Sequence, residues 1–351
     1  VAGEEQALTP KPPSKKSRQT IVLYTIAFAF LAIVLWRSRI WEAGETLGDV
    51  SPAILVLVPL LTVISVAPLA LRQRAILRAL DYRISALALA PIAFYGNTVG
   101  FMTPAASGEL LRPTLFDRAF GLPLNHGVSV VLFERLYSMG IFLLSGLLAF
   151  SLTGVLPKWA AIPMAGLLVV GMFGPLALVR ILNIPVARIP SLLPRFVQRR
   201  LTGLDEAGEA FERLWNSPRL AVEFVVLSLV TFAIMLAQYW LVVDGTGSEI
   251  GLHEMWVVVV AAAMAGMASG MPFGLGAGDA VMVSLLSAYG VDVPAAGAVV
   301  ILVRALINLP AGLMGLGAYI IALRQGAPHE ANGSSTSVTT RLATAIGGND
   351  K

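Results

Sequence analysis

Cysteine is absent from this 351-residue chain, which excludes disulfides, thiolate metal sites and cysteine nucleophiles. Histidine is nearly absent too: His126, His253 and His329 are scattered, so neither a histidine-based metal site nor a catalytic triad is expected. His253-Glu254 lacks the second histidine that a zinc-protease helix needs, and no G-x-S-x-G elbow or P-loop lysine occurs. Gly274-Leu275-Gly276-Ala277-Gly278 resembles part of a dinucleotide loop but follows no strand pattern. No cofactor is expected. Charge is scarce as well, at 13% of residues, against about 25% in soluble domains. What fills the space is apolar: hydrophobic residues make up 56% of the chain and the mean hydropathy is +0.78. The sequence is written for hydrocarbon.

Six apolar runs have the roughly 17–25 residues that cross a bilayer as helices: Ile21–Trp36, Val50–Leu71, Gly127–Thr153, Trp159–Leu182, Leu220–Val243 and Pro294–Leu323. Two more, Ser85–Phe120 and Met255–Tyr289, are interrupted by Pro/Gly clusters at Met102–Gly108 and Gly270–Gly278. If both interrupted stretches enter the membrane and return, 20 of the 25 Lys and Arg fall on the cytoplasmic side, as the positive-inside rule requires. If the first crossed outright, Arg112, Arg118 and the cluster from Arg180 to Arg219 would face outward. Re-entrance is therefore expected, with both termini cytoplasmic. The pI near 9.5 then reflects membrane orientation, not nucleic-acid binding. Val1–Thr20 is polar and basic, without the pattern of a secretory signal. Residues 1–19 and 324–351 read as disordered cytoplasmic tails. Within 195–216, an apolar stripe of Val197, Leu201, Leu204, Phe211 and Trp215 predicts a helix lying in the cytoplasmic interface, or a surface linker.

Shifting the sequence by 166–170 positions aligns two halves, 20–153 and 154–323. Ser51-Pro52 meets Ser217-Pro218. The first break, through Pro104, Gly108 and Glu109, meets Pro272 through Gly278 and Asp279. Gly121 meets Gly290, and fourteen residues beyond each stands Arg135 or Arg304. Three crossings per half invert the second half relative to the first. The expected fold is an all-α polytopic membrane protein: an inverted repeat with six spanning helices and two re-entrant broken helices. Backbone that leaves helix geometry inside a membrane must line a protein-enclosed or watery cavity, because lipid cannot satisfy its N–H and C=O groups.

Arg135 and Arg304 fall near mid-span, where a charged side chain costs roughly 2.5–3.5 kcal/mol on insertion scales. Glu134 is next to Arg135 but points about 100° away on a helix, so each arginine needs a partner elsewhere. Glu109 and Asp279 are the candidates, both at the start of a resumed half-helix where a carboxylate complements the helix dipole. Together these groups could hold a phosphate-bearing headgroup, or simply staple the repeat interface. Asn97, Thr103, Ser107 and Asn308 could supply neutral hydrogen bonds to the same cavity, or serve helix packing.

Asn97, Pro104 to Gly108-Glu109, Arg112, Glu134-Arg135 and Pro272-Phe273-Gly274-Leu275-Gly276-Ala277-Gly278-Asp279 resemble the flippase-like family named for the transmembrane region of lysylphosphatidylglycerol synthases, the multiple peptide resistance factors. The resemblance spans Ile21–Leu323, and the family usually shows Glu where this chain has Asp279. It implies a non-enzymatic lipid flippase or scramblase of a bacterial cytoplasmic membrane. The cargo would be an anionic or aminoacylated phospholipid, or a lipid-linked sugar, held by Arg135, Arg304, Glu109, Asp279, Glu134, Asn97, Arg112 and Asn308. Residues 326–351 are too few to replace the aminoacyl-transfer domain of the larger synthases. Two alternatives stay open: an integral-membrane transferase using Glu109, Glu134 or Asp279 as base, and a non-catalytic partner that delivers lipid to an enzyme. The bilayer is the expected partner, nucleic acid is not, and a homo-oligomer is compatible with the sequence.

Overall fold

A computed structural model of the chain describes residues 15–44, 48, 50–103, 108, 109, 111–154, 163 and 204–325. The regular elements among them are all helical: α1 (Lys15–Arg37), α2 (Pro52–Ile64), α3 (Val66–Ala79), α4 (Ala86–Met102), α5 (Arg112–Phe120), α6 (Leu124–Leu152), α7 (Leu204–Trp215), α8 (Pro218–Asp244), α9 (Leu252–Ser269), α10 (Ala277–Ala288), α11 (Val293–Val303) and α12 (Leu309–Gln325). A π-helical stretch, Arg304–Asn308, joins α11 to α12.

Among the described residues, five helices are long and apolar enough to cross a membrane: Pro52–Ala79, Leu124–Ser151, Pro218–Asp244, Leu252–Ser269 and Val293–Arg324. Tyr24–Arg37 and Pro272–Ala288 are shorter apolar helices. The expected span Trp159–Leu182 lies outside the described residues, apart from Pro163. Their flanks carry exposed Val56, Leu60, Leu87, Val226, Leu229 and Leu316, a distribution that water would penalise and hydrocarbon accepts. One boundary needs correcting. The second apolar run was expected to end at Leu71, with Arg72 outside it. Instead the helix continues as α3 to Ala79 and buries Arg72 and Gln73, because both find polar partners within the bundle.

The same local signals start corresponding helices. Ser51 caps α2 by accepting the Ala53 amide at 3.3 Å, with Pro52 at the first helical position. Ser217 caps α8 by accepting the Leu220 amide at 3.3 Å, followed by Pro218. Serine supplies the missing acceptor, and proline loses no bond there.

The α2–α3 rod and α8 pack antiparallel along their length. Ile54 meets Gly245, Gln238 donates to Thr62 Oγ1 at 2.8 Å and to the Val58 carbonyl at 3.0 Å, Arg72 donates to Ser228 at 3.4 Å, and Arg78 pairs with Glu223. The offset that carries Ser51-Pro52 onto Ser217-Pro218 also carries Arg72 onto Gln238 and Thr62 onto Ser228. The two polar contacts therefore exchange under it, as contacts across a two-fold axis do.

Two apolar cores flank this contact. One gathers α3 to α7, the start of α8 and the end of α12 around Phe116, Phe133 and Phe224. The other gathers the start of α2, the end of α8 and α9 to α11 around Val58, Met255 and Val299. Val58 and Phe224 are again one offset apart, so each half lends the front of its long helix to the other's core. Of the predicted stripe, Val197 and Leu201 lie outside the described residues; the later part of α7 packs on protein, where Ala210, Phe211 and Leu214 are buried, and Trp215 stacks on Phe211 and meets Tyr137 edge-on.

The second interrupted stretch folds into a tight hairpin, α9 against α10. A Cβ on Gly266 would lie 2.9 Å from the Gly274 Cα, and one on Gly278 would lie 2.9 Å from the Ala262 carbonyl. Small residues let these backbones touch. At the tip, Gly274 also holds a φ of +62°. Gly274→Ala should therefore destabilise the fold by about 1–3 kcal/mol, read as a lower thermal midpoint in detergent. An unchanged midpoint would contradict the close approach.

Candidate functional site

Each break resumes as a helix whose opening carboxylate reaches an arginine on the next long helix. In the second half, Asp279 is 1% exposed and does two jobs. Its Oδ2 accepts the Gly276 amide at 2.8 Å, closing a capping interaction at the start of α10. Its Oδ1 accepts Arg304 Nε at 3.1 Å and Nη2 at 2.5 Å. Arg304 Nη1 donates to the Phe273 carbonyl at 2.9 Å, inside the break where Phe273 adopts a φ of +54°. One guanidinium thus satisfies both the half-helix carboxylate and a carbonyl that the broken helix leaves free. The shorter carboxylate of Asp279 suffices for both contacts.

In the first half, Glu109 takes the corresponding part. Its carboxylate receives Arg135 through Nε and Nη2, a bidentate pair. The turn before it is pinned by Thr103, whose hydroxyl accepts the Gly108 amide at 2.7 Å, and by Tyr95, whose hydroxyl donates to the Gly108 carbonyl at 3.3 Å. The two pairs correspond under the repeat offset: 109 with 279, 135 with 304. They differ in access, since the Arg135 side chain is 38% exposed and that of Arg304 19%.

Beside the first pair lies a network with no counterpart among the described residues of the second half. Glu134 accepts Arg72 Nη2 on Oε1 and Arg112 Nη2 on Oε2, both at 2.6 Å. Arg112 also donates to Gln73 Oε1, and Gly96 makes room for it, since a Cβ there would strike the arginine side chain. The Arg72 guanidinium lies 4.9 Å from the Phe224 ring centre. Glu109 is within electrostatic range of Arg112, Arg135 and Glu134, so the pair and the network form one cluster.

The predicted residues thus divide. Arg135, Glu109, Glu134 and Arg112 share the first cluster, and Arg304 and Asp279 share the second. Asn97, on α4, and Asn308, closing the π-helical stretch, are half-buried, and no hydrogen bond among the described residues ties either to a cluster. Ser107 lies outside the described residues. Arg72, Gln73, Thr62 and Ser228 were missed as members of the polar interior. The available signal was the offset itself, which sets Arg72 against Gln238 within the long apolar helices.

Glu134 is the counter-charge for two buried guanidiniums, and removing one partner of a buried pair costs about 3–5 kcal/mol. Glu134→Gln should therefore lower the thermal midpoint sharply and reduce the yield of monodisperse protein. A variant as stable as the parent would show that these groups are not paired as ions.

Against known proteins, the chain is 26% identical over 154 residues to a glycosyltransferase, AglD, of Haloferax volcanii. That stretch is 44% of this chain and 24% of the relative, so the two share under a quarter of the relative's length. Two Arg–carboxylate clusters at helix breaks within an all-helical, apolar bundle accord with a broader match over residues 22–315, and the chain belongs to the lysylphosphatidylglycerol synthase transmembrane region family.

Proposed function

We propose that the protein moves a lipid with a phosphate-bearing headgroup between leaflets, as a flippase or scramblase. In this reading the halves form an inverted repeat of six crossings in a bacterial cytoplasmic membrane, with both termini cytoplasmic. The two interrupted stretches enter from opposite faces. The headgroup contacts Arg135 and Arg304 in turn while its acyl chains stay in lipid. The observation that carries the reading is the repeated pair, Glu109–Arg135 and Asp279–Arg304, each beside a helix break and each with a partly exposed arginine. The antiparallel packing of α2–α3 on α8 supports the inverted sense, since repeat-related helices point in opposite directions. With no nucleotide motif in the sequence, movement runs downhill or is coupled to an ion.

Purified protein in proteoliposomes should accelerate transbilayer movement of a tail-labelled anionic phospholipid. Arg135→Ala with Arg304→Ala should reduce that acceleration at least tenfold, and Arg135→Lys with Arg304→Lys should retain more of it. Full activity in a folded double-alanine protein would refute the arginine role. Because the chain has no native cysteine, Thr103→Cys and Ser269→Cys, one repeat offset apart, report the orientation directly. An impermeant thiol reagent should reach them from opposite faces; labelling of both from one face would rule out the inverted arrangement.

One observation favours a second reading. The matched relative is named a glycosyltransferase, which fits a lipid-handling segment that serves or performs transfer chemistry. New lipid products in mass spectra after incubation with candidate lipids would support it, whereas unaltered lipids would leave transport.

A further inference from the structure

We infer that the headgroup recognised here carries one net negative charge, a phosphate diester without a compensating amine, and that Arg72 sets this preference from outside the contact site. The inference rests on the lipid-site reading and narrows its substrate. Among the described residues, the polar interior holds four guanidiniums, Arg72, Arg112, Arg135 and Arg304, paired to three carboxylates, Glu109, Glu134 and Asp279. The stretch 155–203, of which the structure describes only Pro163, contains six Lys or Arg and no Asp or Glu, so its sequence offers no carboxylate to offset the surplus.

The surplus has a definite address. Glu134 is shared between Arg72 and Arg112, whereas Arg135 and Arg304 each have a carboxylate of their own. In the second half, Arg72 is matched by Gln238, Glu134 by Val303, and Arg112 by Val281 or Met282. The excess charge therefore belongs to the first half only, in the cluster that also contains Arg135, the more exposed of the two repeated arginines. Donor capacity is unspent there as well. Arg72 Nε, Arg112 Nε and Gln73 Nε2 are buried without partners, and the bidentate pairing of Arg135 uses Nε and Nη2, leaving Nη1.

An uncompensated unit charge in a low-dielectric interior is stabilised by one opposite charge and repels a cation. A phosphate diester reaching Arg135 neutralises the cluster. A headgroup bearing a phosphate and two ammonium groups, net +1, adds to its charge. Arg72 is a positioning residue in this scheme: it holds Glu134 and Ser228 and acts on the headgroup through the field.

The test uses the purified full chain and three tail-labelled probes: phosphatidylglycerol (net −1), phosphatidylethanolamine (neutral) and lysyl-phosphatidylglycerol (net +1). Transbilayer rates are measured in proteoliposomes, and native mass spectrometry measures lipid retained from an equimolar mixture of the three. Phosphatidylglycerol should exceed the lysyl lipid by at least about tenfold in both, the effect of a unit charge some 10 Å away at an effective dielectric constant of about 20. Arg72→Gln, which copies the residue at the repeat position, should shrink the ratio to about threefold or less, and Arg72→Lys should keep it. Equal handling of the three lipids by the parent protein, or preference for the lysyl lipid, overturns the inference even if no variant folds. Selective retention of phosphatidylglycerol with no movement of any lipid sustains the charge preference and removes the transport reading.

Discussion

A guanidinium inside a membrane bundle cannot lose its proton under physiological conditions and finds no counter-ion in lipid tails. It must therefore be met by a carboxylate or by backbone carbonyls that are themselves short of donors. The broken helices of this protein supply both. Asp279 and the Phe273 carbonyl converge on Arg304, and Glu109, just past its own break, meets Arg135. The breaks and the arginines depend on each other. A break without the arginine leaves the Phe273 carbonyl without its donor, and an arginine without the break has no carboxylate at the right height.

This dependence organises the packing around it. The α9–α10 hairpin can be as tight as its glycines allow because Arg304, on the neighbouring rod, ties down its strained tip. That rod leaves α-helical geometry for one π-helical stretch starting at Arg304, a departure that often marks functional sites. Along the centre, the exchanged contacts of Arg72 with Ser228 and Gln238 with Thr62 hold α2–α3 and α8 in antiparallel register. Each of these helices then completes the apolar core of the opposite half. Polar pairs set the register, and the apolar cores supply most of the burial.

The two halves are alike in their carboxylate–arginine pairs and unlike in the charge that surrounds them. Arg72, Arg112 and Glu134 have no like residues at the repeat positions of the second half, and in the first they form a buried network in which two guanidiniums share one carboxylate. The repeated pairs provide the match, and the unrepeated network provides the difference. The family to which the chain belongs takes its name from a lipid synthase, in keeping with a lipid as the molecule handled.

Much of this was legible in sequence because it follows from local pattern. Long apolar runs, serine–proline helix starts and Pro/Gly breaks are written in neighbouring residues, and so is the need of Arg135 and Arg304 for partners. The repeat offset pointed to Glu109 and Asp279 because like positions in like halves meet like surroundings. Arg72 shows where local pattern stops. It follows an apolar run at the point where a basic residue ordinarily marks the membrane edge, and nothing near it in sequence reveals Glu134 or Ser228, which reach it from 62 and 156 residues away. The apolar stripe of α7 was equally ambiguous, since lipid and a protein groove reward the same side chains. Sequence determined which segments avoid water and which charges must be neutralised, because hydrophobicity and valence are properties of the residues themselves. Only the tertiary structure decided which groups neutralise which, because that depends on distances between helices far apart along the chain.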